Sequence, residues 1–182
     1  MMYLNIITPC SRVKNLPKIA ESLNTIPKSN LKWWVVFDSP KLPDKCPKEA
    51  ECFAYWKRGS IAGNAQRNYA LDKISKGHIY LLDDDTILHP SLWKNIKDLD
   101  THDFISFKQV DKNGALRLKG DRIEVNYIDT GNFIFSHSLP KSTRFIEDKY
   151  DADGYFAKEL IQKAHSPIYI PEDLSIYNAL RG

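Results

Sequence analysis

The chain has 182 residues, of which 42% are hydrophobic and 12% aromatic, and a formal net charge of +3. Such a length is one domain able to bury a core, and so slight a charge gives no sign of a nucleic-acid partner. No run of about 18 apolar residues marks a transmembrane segment or a secretory leader, and three cysteines (Cys10, Cys46, Cys52) without metal-ligand spacing suit a reducing, cytoplasmic compartment.

From the N-terminus, "YLNIIT" (3–8) reads as a buried strand. Asn15 is placed to cap a helix whose Leu16, Ile19, Leu23 and Ile26 recur at spacings of three and four, with Pro17 tolerated in its first turn. "KWWVVFD" (32–38) and "CFAYW" (52–56) read as two further strands, joined by the proline-rich and charged loop "SPKLPDKCPKEAE" (39–51). Trp33 and Trp34 are adjacent and point to opposite faces, whereas Trp56 and Trp93 read as packing residues. "NAQRNYALDKIS" (64–75) is a helix with Ala65, Leu71 and Ile74 on one face, ended by Gly77; "HIYLL" (78–82) is a strand and "PSLWKNIKDL" (90–99) a helix opened by proline. Strand–helix alternation of this kind builds a parallel sheet covered on both faces. The second half differs. "DFISFKQV" (103–110) alternates, and "DKNGAL" (111–116) holds the Asn-Gly pair of a hairpin. "YIDTGNFIF" (127–135) reads as a strand, "DADGYFAKELIQKA" (151–164) as a helix, and "PIYI" (167–170) as a short last strand. The expected fold class is an α/β sandwich: a mainly parallel central sheet, helices on both faces, and a smaller antiparallel part in the second half.

Ligands of parallel sheets sit beyond the carboxyl ends of the strands, and "HIYLLDDDTILHP" (78–90) places Asp83, Asp84 and Asp85 there. Two carboxylates at i and i+2 of an extended segment point the same way. They can hold a hard divalent cation, Mn2+ or Mg2+, with positions left open for phosphate oxygens; a solvated acidic turn is the alternative. Asp38 ends the second strand, where it can accept from a base or ribose, or form an Asx turn before Pro40. Thr8, Pro9 and Arg12 end the first strand. Arg67 lies in a helix opened by Gly63 and Asn64, whose N-terminus favours anions, although a surface salt bridge would explain it too. His78, His89 and His102 show no zinc spacing.

Together these pieces resemble the nucleotide-sugar glycosyltransferases of the GT-A (Rossmann-like) fold, and in their motifs the β-1,3-glucuronyltransferases, over about residues 4–136. "ITP" is similar to that family's Thr-Pro turn, and "KWWVVFDSP" to its Trp-hydrophobic-Asp strand. "QRNYAL" is similar to its Gln-Arg-Asn-x-Ala-Leu helix, "IYLLDDD" followed by "SLWKNI" to its acidic tract and next helix, and "IDTGNFIF" to its Ile-Asp-Met-Ala-Gly-Phe segment. The resemblance implies that Thr8 and Pro9 line uridine, Asp38 contacts uracil, Arg67 the nucleotide sugar, Asp83 or Asp84 the ribose or donor sugar, and Asp85 the metal. It makes 1–182 a single glycosyltransferase domain, with residues 1–100 as the nucleotide-binding half and 101–182 as the acceptor and catalytic half. In "DTGN", Gly131 would allow close backbone approach and Asn132 would meet a sugar hydroxyl, unless Gly131 is a bulge glycine. Phe37 and Thr86 depart from the family pattern, and its histidine-bearing C-terminal tract has no counterpart after His165. Glucuronic acid as the donor sugar is therefore not carried over. An inverting transfer needs a general base; Asp153, with Asp151 behind it, stands at the start of the late helix, where an N-cap is the alternative. The expectation is a Mn2+- or Mg2+-dependent, inverting glycosyltransferase moving sugar from a UDP-sugar to a hydroxyl of a carbohydrate or glycoconjugate acceptor. Two alternatives remain. A haloacid-dehalogenase-like phosphatase would use Asp83 as nucleophile, but Ile87 stands where it has Thr or Val. A catalytically inactive nucleotide-sugar-binding module would share the pocket. A nucleotidyltransferase is disfavoured, because "TPCSRVKN" lacks glycine.

Overall fold

The first strand, β1 (Leu4–Cys10), is buried along its whole length, as an apolar run covered on both faces must be. In the computed structural model, which describes residues 1–181, β2 (Leu31–Phe37) and β4 (His78–Leu81) flank it in parallel, and β3 (Ala50–Ala54) extends the sheet beside β2. Next to β4 the direction reverses: β7 (Phe133–Ser136) is antiparallel to β4 and to β5 (Phe104–Asp111). Beyond it β6 (Leu116–Leu118) forms the hairpin partner of β5, and β8 (Pro167–Tyr177) pairs with β5 in parallel. The eight strands thus run β3-β2-β1-β4-β7-β5-β6, with β8 joined to β5. This is a GT-A-like, Rossmann-type α/β sheet.

Alternate residues of the inner strands feed two cores. On one face α1 (Leu16–Ser22) and α3 (Leu92–Ile96) lay Leu16, Ile19, Leu92 and Ile96 against Ile6, Trp33 and Tyr80. On the other, α2 (Asn64–Leu71) and α4 (Ala152–Lys163) lay Ala70, Leu71, Phe156 and Leu160 against Ile7, Trp34 and Phe135. Trp33 and Trp34 therefore serve opposite cores. A buried tryptophan removes about 200 Å2 from water, worth about 5 kcal/mol before entropy is counted. Their indole N–H groups are satisfied by Thr8 Oγ1 (3.0 Å) and Asn5 Oδ1 (3.1 Å). Pro9 lies inside β1, but the ladder with β4 ends at Ile7, so its missing N–H loses no bond on that side.

Several expected elements change. Asn15 precedes α1 without capping it; its Nδ2 donates instead to the Asp84 carbonyl at 2.8 Å. The helix read over 64–75 ends at Leu71. The strand read over 127–135 starts at Phe133, because Thr130–Asn132 closes into a 3-10 turn held by Asp129 and Asn132. β8 runs eleven residues rather than four, with register shifts that let Pro171, Glu172 and then Leu174 bulge out of the ladder. Trp56 is exposed rather than packed. No helix among the described residues is long and apolar enough to cross a membrane.

Candidate active site

Strands β1, β2 and β3 step outward in one direction, and the chain then returns to place β4 on the other edge of β1. Loops on either side of such a switch point separate and leave a crevice. A pocket of about 470 Å3 lies there, and the segments after β1 and β4 form its floor. Seven aspartates line it (the triplet, Asp38, Asp129, Asp151 and Asp153) against four arginines, Arg12, Arg67, Arg117 and Arg181, a formal excess of three negative charges. Ala62, Asn126 and Asn178, the non-glycine residues with positive φ among those described, all line it as well. Backbone strain is thus concentrated at the pocket, as it often is at functional sites.

The triplet is a turn rather than an extended segment, closed by Thr86 N–H on the Asp83 carbonyl at 3.2 Å. Its three members have separate tasks. Asp84 is buried and accepts from Ser11 N (2.6 Å), Ser11 Oγ (3.1 Å), Arg12 N (2.6 Å) and Arg12 Nη1 (2.5 Å). With three donors on Oδ2 and Arg12 Nη1 on Oδ1 it clamps the β1 loop to the β4 loop, a structural task besides the ribose or sugar contact expected of it. Asp83 accepts from Arg67 Nη2 at 2.5 Å, with Thr130 Oγ1 3.5 Å from its other oxygen. Asp85 is buried too, but its nearest cationic groups, Arg12 Nη1 at 3.6 Å and Arg181 Nε at 3.8 Å, stand beyond hydrogen-bond distance. Burial, then the charge of Asp83, raises its carboxyl above the ordinary range. Of the three, Asp85 is the one without a hydrogen-bonded cationic partner.

Arg67 is no surface residue. It is 4% exposed, and its Nη1 donates to the Ala62 carbonyl (2.6 Å) and to Asn64 Oδ1 (3.2 Å). Gly63, at φ +75°, makes this turn; a Cβ there would sit 2.6 Å from Pro9 Cβ. Pro9 and Arg12 line the pocket as expected, and so does Asp38, whose Oδ1 accepts from Gln66 Nε2 at 2.9 Å while its other oxygen is free.

Three expected residues lie elsewhere. The Thr8 side chain is inside β1, and its hydroxyl is occupied by Trp33. Gly131 packs on the β5–β8 pair, where a Cβ would come within 2.9 Å of Gln109 Nε2 and 3.1 Å of Ser175 Oγ. The close approach is real, but its partner is the protein. Asn132 is fully buried, and its Oδ1 accepts from Asp129 N at 2.9 Å in a capping box, out of reach of a sugar hydroxyl.

Opposite the triplet, Asp151 and Asp153 both face the pocket, and Asp151, the residue preceding α4, makes no side-chain cap bond. Burial and then the charge of Asp129 lift the Asp153 pKa to about 6, against the Gly154 N–H at 2.8 Å and the more distant Arg67. Sequence reasoning missed the far wall. Arg117, from β6, pairs with Asp129 at 2.6 Å and lies 3.7 Å from the Tyr177 ring centroid. Asn178 and Arg181 follow β8, so they were out of view once β8 was read as four residues long.

A switch-point pocket of this composition on this sheet defines the class of fold, and comparison with known proteins agrees. No family model matches the chain, and no curated protein matches it by sequence. Among solved structures it is similar to S. aureus TarS 1-349 (TM-score 0.76, 16% identity, 96% of this chain and 60% of that one), a protein also solved in complex with UDP-GlcNAc. It is similar to the mannosyltransferase PcManGT from Pyrobaculum calidifontis in complex with GDP-Man and Mn2+ (TM-score 0.66, 13%, 97% and 57%). It is also similar to the bifunctional IspDF from Campylobacter jejuni (TM-score 0.60, 13%, 96% and 52%). The chain spans between about half and three-fifths of these structures. At such identities the likeness establishes the fold.

Proposed function

We propose that this chain is a metal-dependent glycosyltransferase that moves a sugar from a UDP-sugar to a hydroxyl of a carbohydrate or glycoconjugate acceptor, with inversion. The observation that carries the proposal is the division of labour at the switch point. Asp85 has no hydrogen-bonded cationic partner and faces a pocket with three excess negative charges, while the basic carboxylate Asp153 faces it from the other side. A nucleoside diphosphate is itself an anion, so such a pocket repels it unless a cation enters too.

The residues fit a hard divalent cation. Asp85, with Asp83 beside it, offers oxygen donors alone, and Mg2+-type sites use one or two carboxylates together with substrate phosphates. Among the described residues no three acidic, histidine or cysteine side chains converge as a metal cage. Bound there, Mn2+ or Mg2+ would neutralise the charge developing on the leaving diphosphate. The remaining work falls to side chains. Asp38 accepts from the uracil N3–H, Arg67 holds Asp83 in place, and Asp84 fixes the loop that carries Arg12. Asp153 takes the proton of the acceptor hydroxyl. A pKa of about 6 leaves it ionised at neutral pH and more basic than an ordinary aspartate. Residues 1–100 act as the nucleotide half and 101–182 as the acceptor and catalytic half.

The nucleotides in TarS and PcManGT differ, UDP-GlcNAc in one and GDP-Man in the other, so the base is the point to measure. Thermal shift with UDP, GDP and ADP, with and without Mn2+, tests the reading. UDP with Mn2+ at about 100 times its dissociation constant stabilises by roughly 2.7 kcal/mol, and labelled UDP-sugars are then hydrolysed or transferred. Stabilisation without any turnover would identify an inactive binding module instead.

A further inference from the structure

Asp85 is approached from the segment that follows β8. After β8 the chain turns at Asn178 (φ +51°) and comes back over the triplet, where Leu180 N donates to the Asp85 carbonyl at 2.7 Å. With the Asn178 amide nitrogen turned toward Asp85, it donates to Oδ2 at 3.3 Å, and the amide oxygen accepts from Arg181 Nη1 at 3.2 Å. Arg181 Nε stands 3.8 Å from the same Oδ2. Arg12 is also near, at 3.6 Å, but its guanidinium is already bound to Asp84 at 2.5 Å. Arg181 has no carboxylate partner other than Asp85 among those described. It is half-exposed on the pocket wall and held to Asp85 by charge rather than by a short hydrogen bond.

We propose that Arg181 is a built-in counter-charge for Asp85, competing with the divalent cation for this carboxylate and transferring its guanidinium to the donor diphosphate when that ligand enters. This rests on the glycosyltransferase reading and adds a regulation to it. Cation alone binds weakly because it must displace a tethered guanidinium. Diphosphate offers Arg181 an alternative partner of the same sign as Asp85, so each ligand favours the other. Free Mn2+ is then poorly retained by the empty enzyme, and the site charges in one concerted step.

The sign of one measurement separates this from a merely structural tail. Mn2+ binding without nucleotide is followed by the free-Mn2+ electron paramagnetic resonance signal for the wild type, Arg181→Gln and Arg181→Lys. The Leu180–Asp85 backbone bond keeps the tail docked in both variants. Removing the competing charge should tighten Mn2+ binding roughly two- to five-fold in Arg181→Gln, the scale of an exposed ion pair, and leave Arg181→Lys near the wild type. UDP binding in saturating Mn2+, read by calorimetry, should weaken in Arg181→Gln and be retained in Arg181→Lys. Unchanged or weaker Mn2+ binding in Arg181→Gln, in a wild type that does bind Mn2+ and UDP, overturns this inference and leaves the proposed function standing. A wild type that binds neither overturns both.

Discussion

The two walls of the pocket are made in different ways. The wall from β1 to β4 is built where buried parallel strands end, and apart from Asp85 the charged groups of its triplet are locked by short bonds; Asp84 alone accepts four donors within 3.1 Å. The wall from β5 to β8 comes from a hairpin strand, a 3-10 turn, a helix start and a returning tail. There Asp151 has no cap bond and Arg181 meets Asp85 across 3.8 Å. On the proposed reading, the rigid wall suits the constant nucleotide, whereas the looser one suits groups that must move: the reacting sugar, the acceptor and the Arg181 guanidinium.

If this division is right, substitutions on the two walls fail differently. The largest effect falls on the looser wall. Asp153→Asn keeps size and removes basicity, so transfer should drop by about 10²–10⁴ with UDP binding and folding near normal, and Asp151→Asn should lose less. Donor hydrolysis serves as the assay until an acceptor is found. The wild-type rate should rise with pH through about 6 and then level off, because Asp153 acts only when ionised and its pKa is raised to about 6. A flat profile between pH 5 and 7 would move the base elsewhere.

The rigid wall should break by losing structure. Asp84→Ala strands the Ser11 and Arg12 N–H groups and should cost about 1–3 kcal/mol in denaturant unfolding, together with donor binding. Stability equal to the wild type would mean the clamp is not needed to hold the two loops together. The smallest effect is one of selectivity. Asp38→Ala removes one acceptor for uracil, worth about 1 kcal/mol, and should narrow the preference for UDP over GDP several-fold in competition titrations. No change in that ratio would take Asp38 out of the base pocket.

The same contrast governs what the amino-acid order made visible. The parallel wall was legible because continuous apolar runs mark its strands and the acids begin where a run stops. Even there the role of Asp84 was hidden, since its donors are backbone N–H groups some seventy residues away at Ser11 and Arg12. On the other wall Arg117 and Arg181 sit in no local pattern; the β5–β6 hairpin brings in the first and the long β8 the second. In "DTGN" the sequence suggests Asn132 as a contact for a sugar hydroxyl beside the close approach that Gly131 permits. The Asp129-x-x-Asn132 spacing of a capping box was the signal that pointed inward instead.

The central claim is that Asp85 is the carboxylate of the triplet left for a cation, and calorimetric titration of UDP into wild type and Asp85→Ala, each with Mn2+ and with a chelator, tests it most directly. The account predicts UDP binding that depends on Mn2+ in the wild type, with that dependence lost in Asp85→Ala and residual affinity equal to the chelated wild type. Unchanged UDP affinity with unchanged Mn2+ dependence in Asp85→Ala would contradict it.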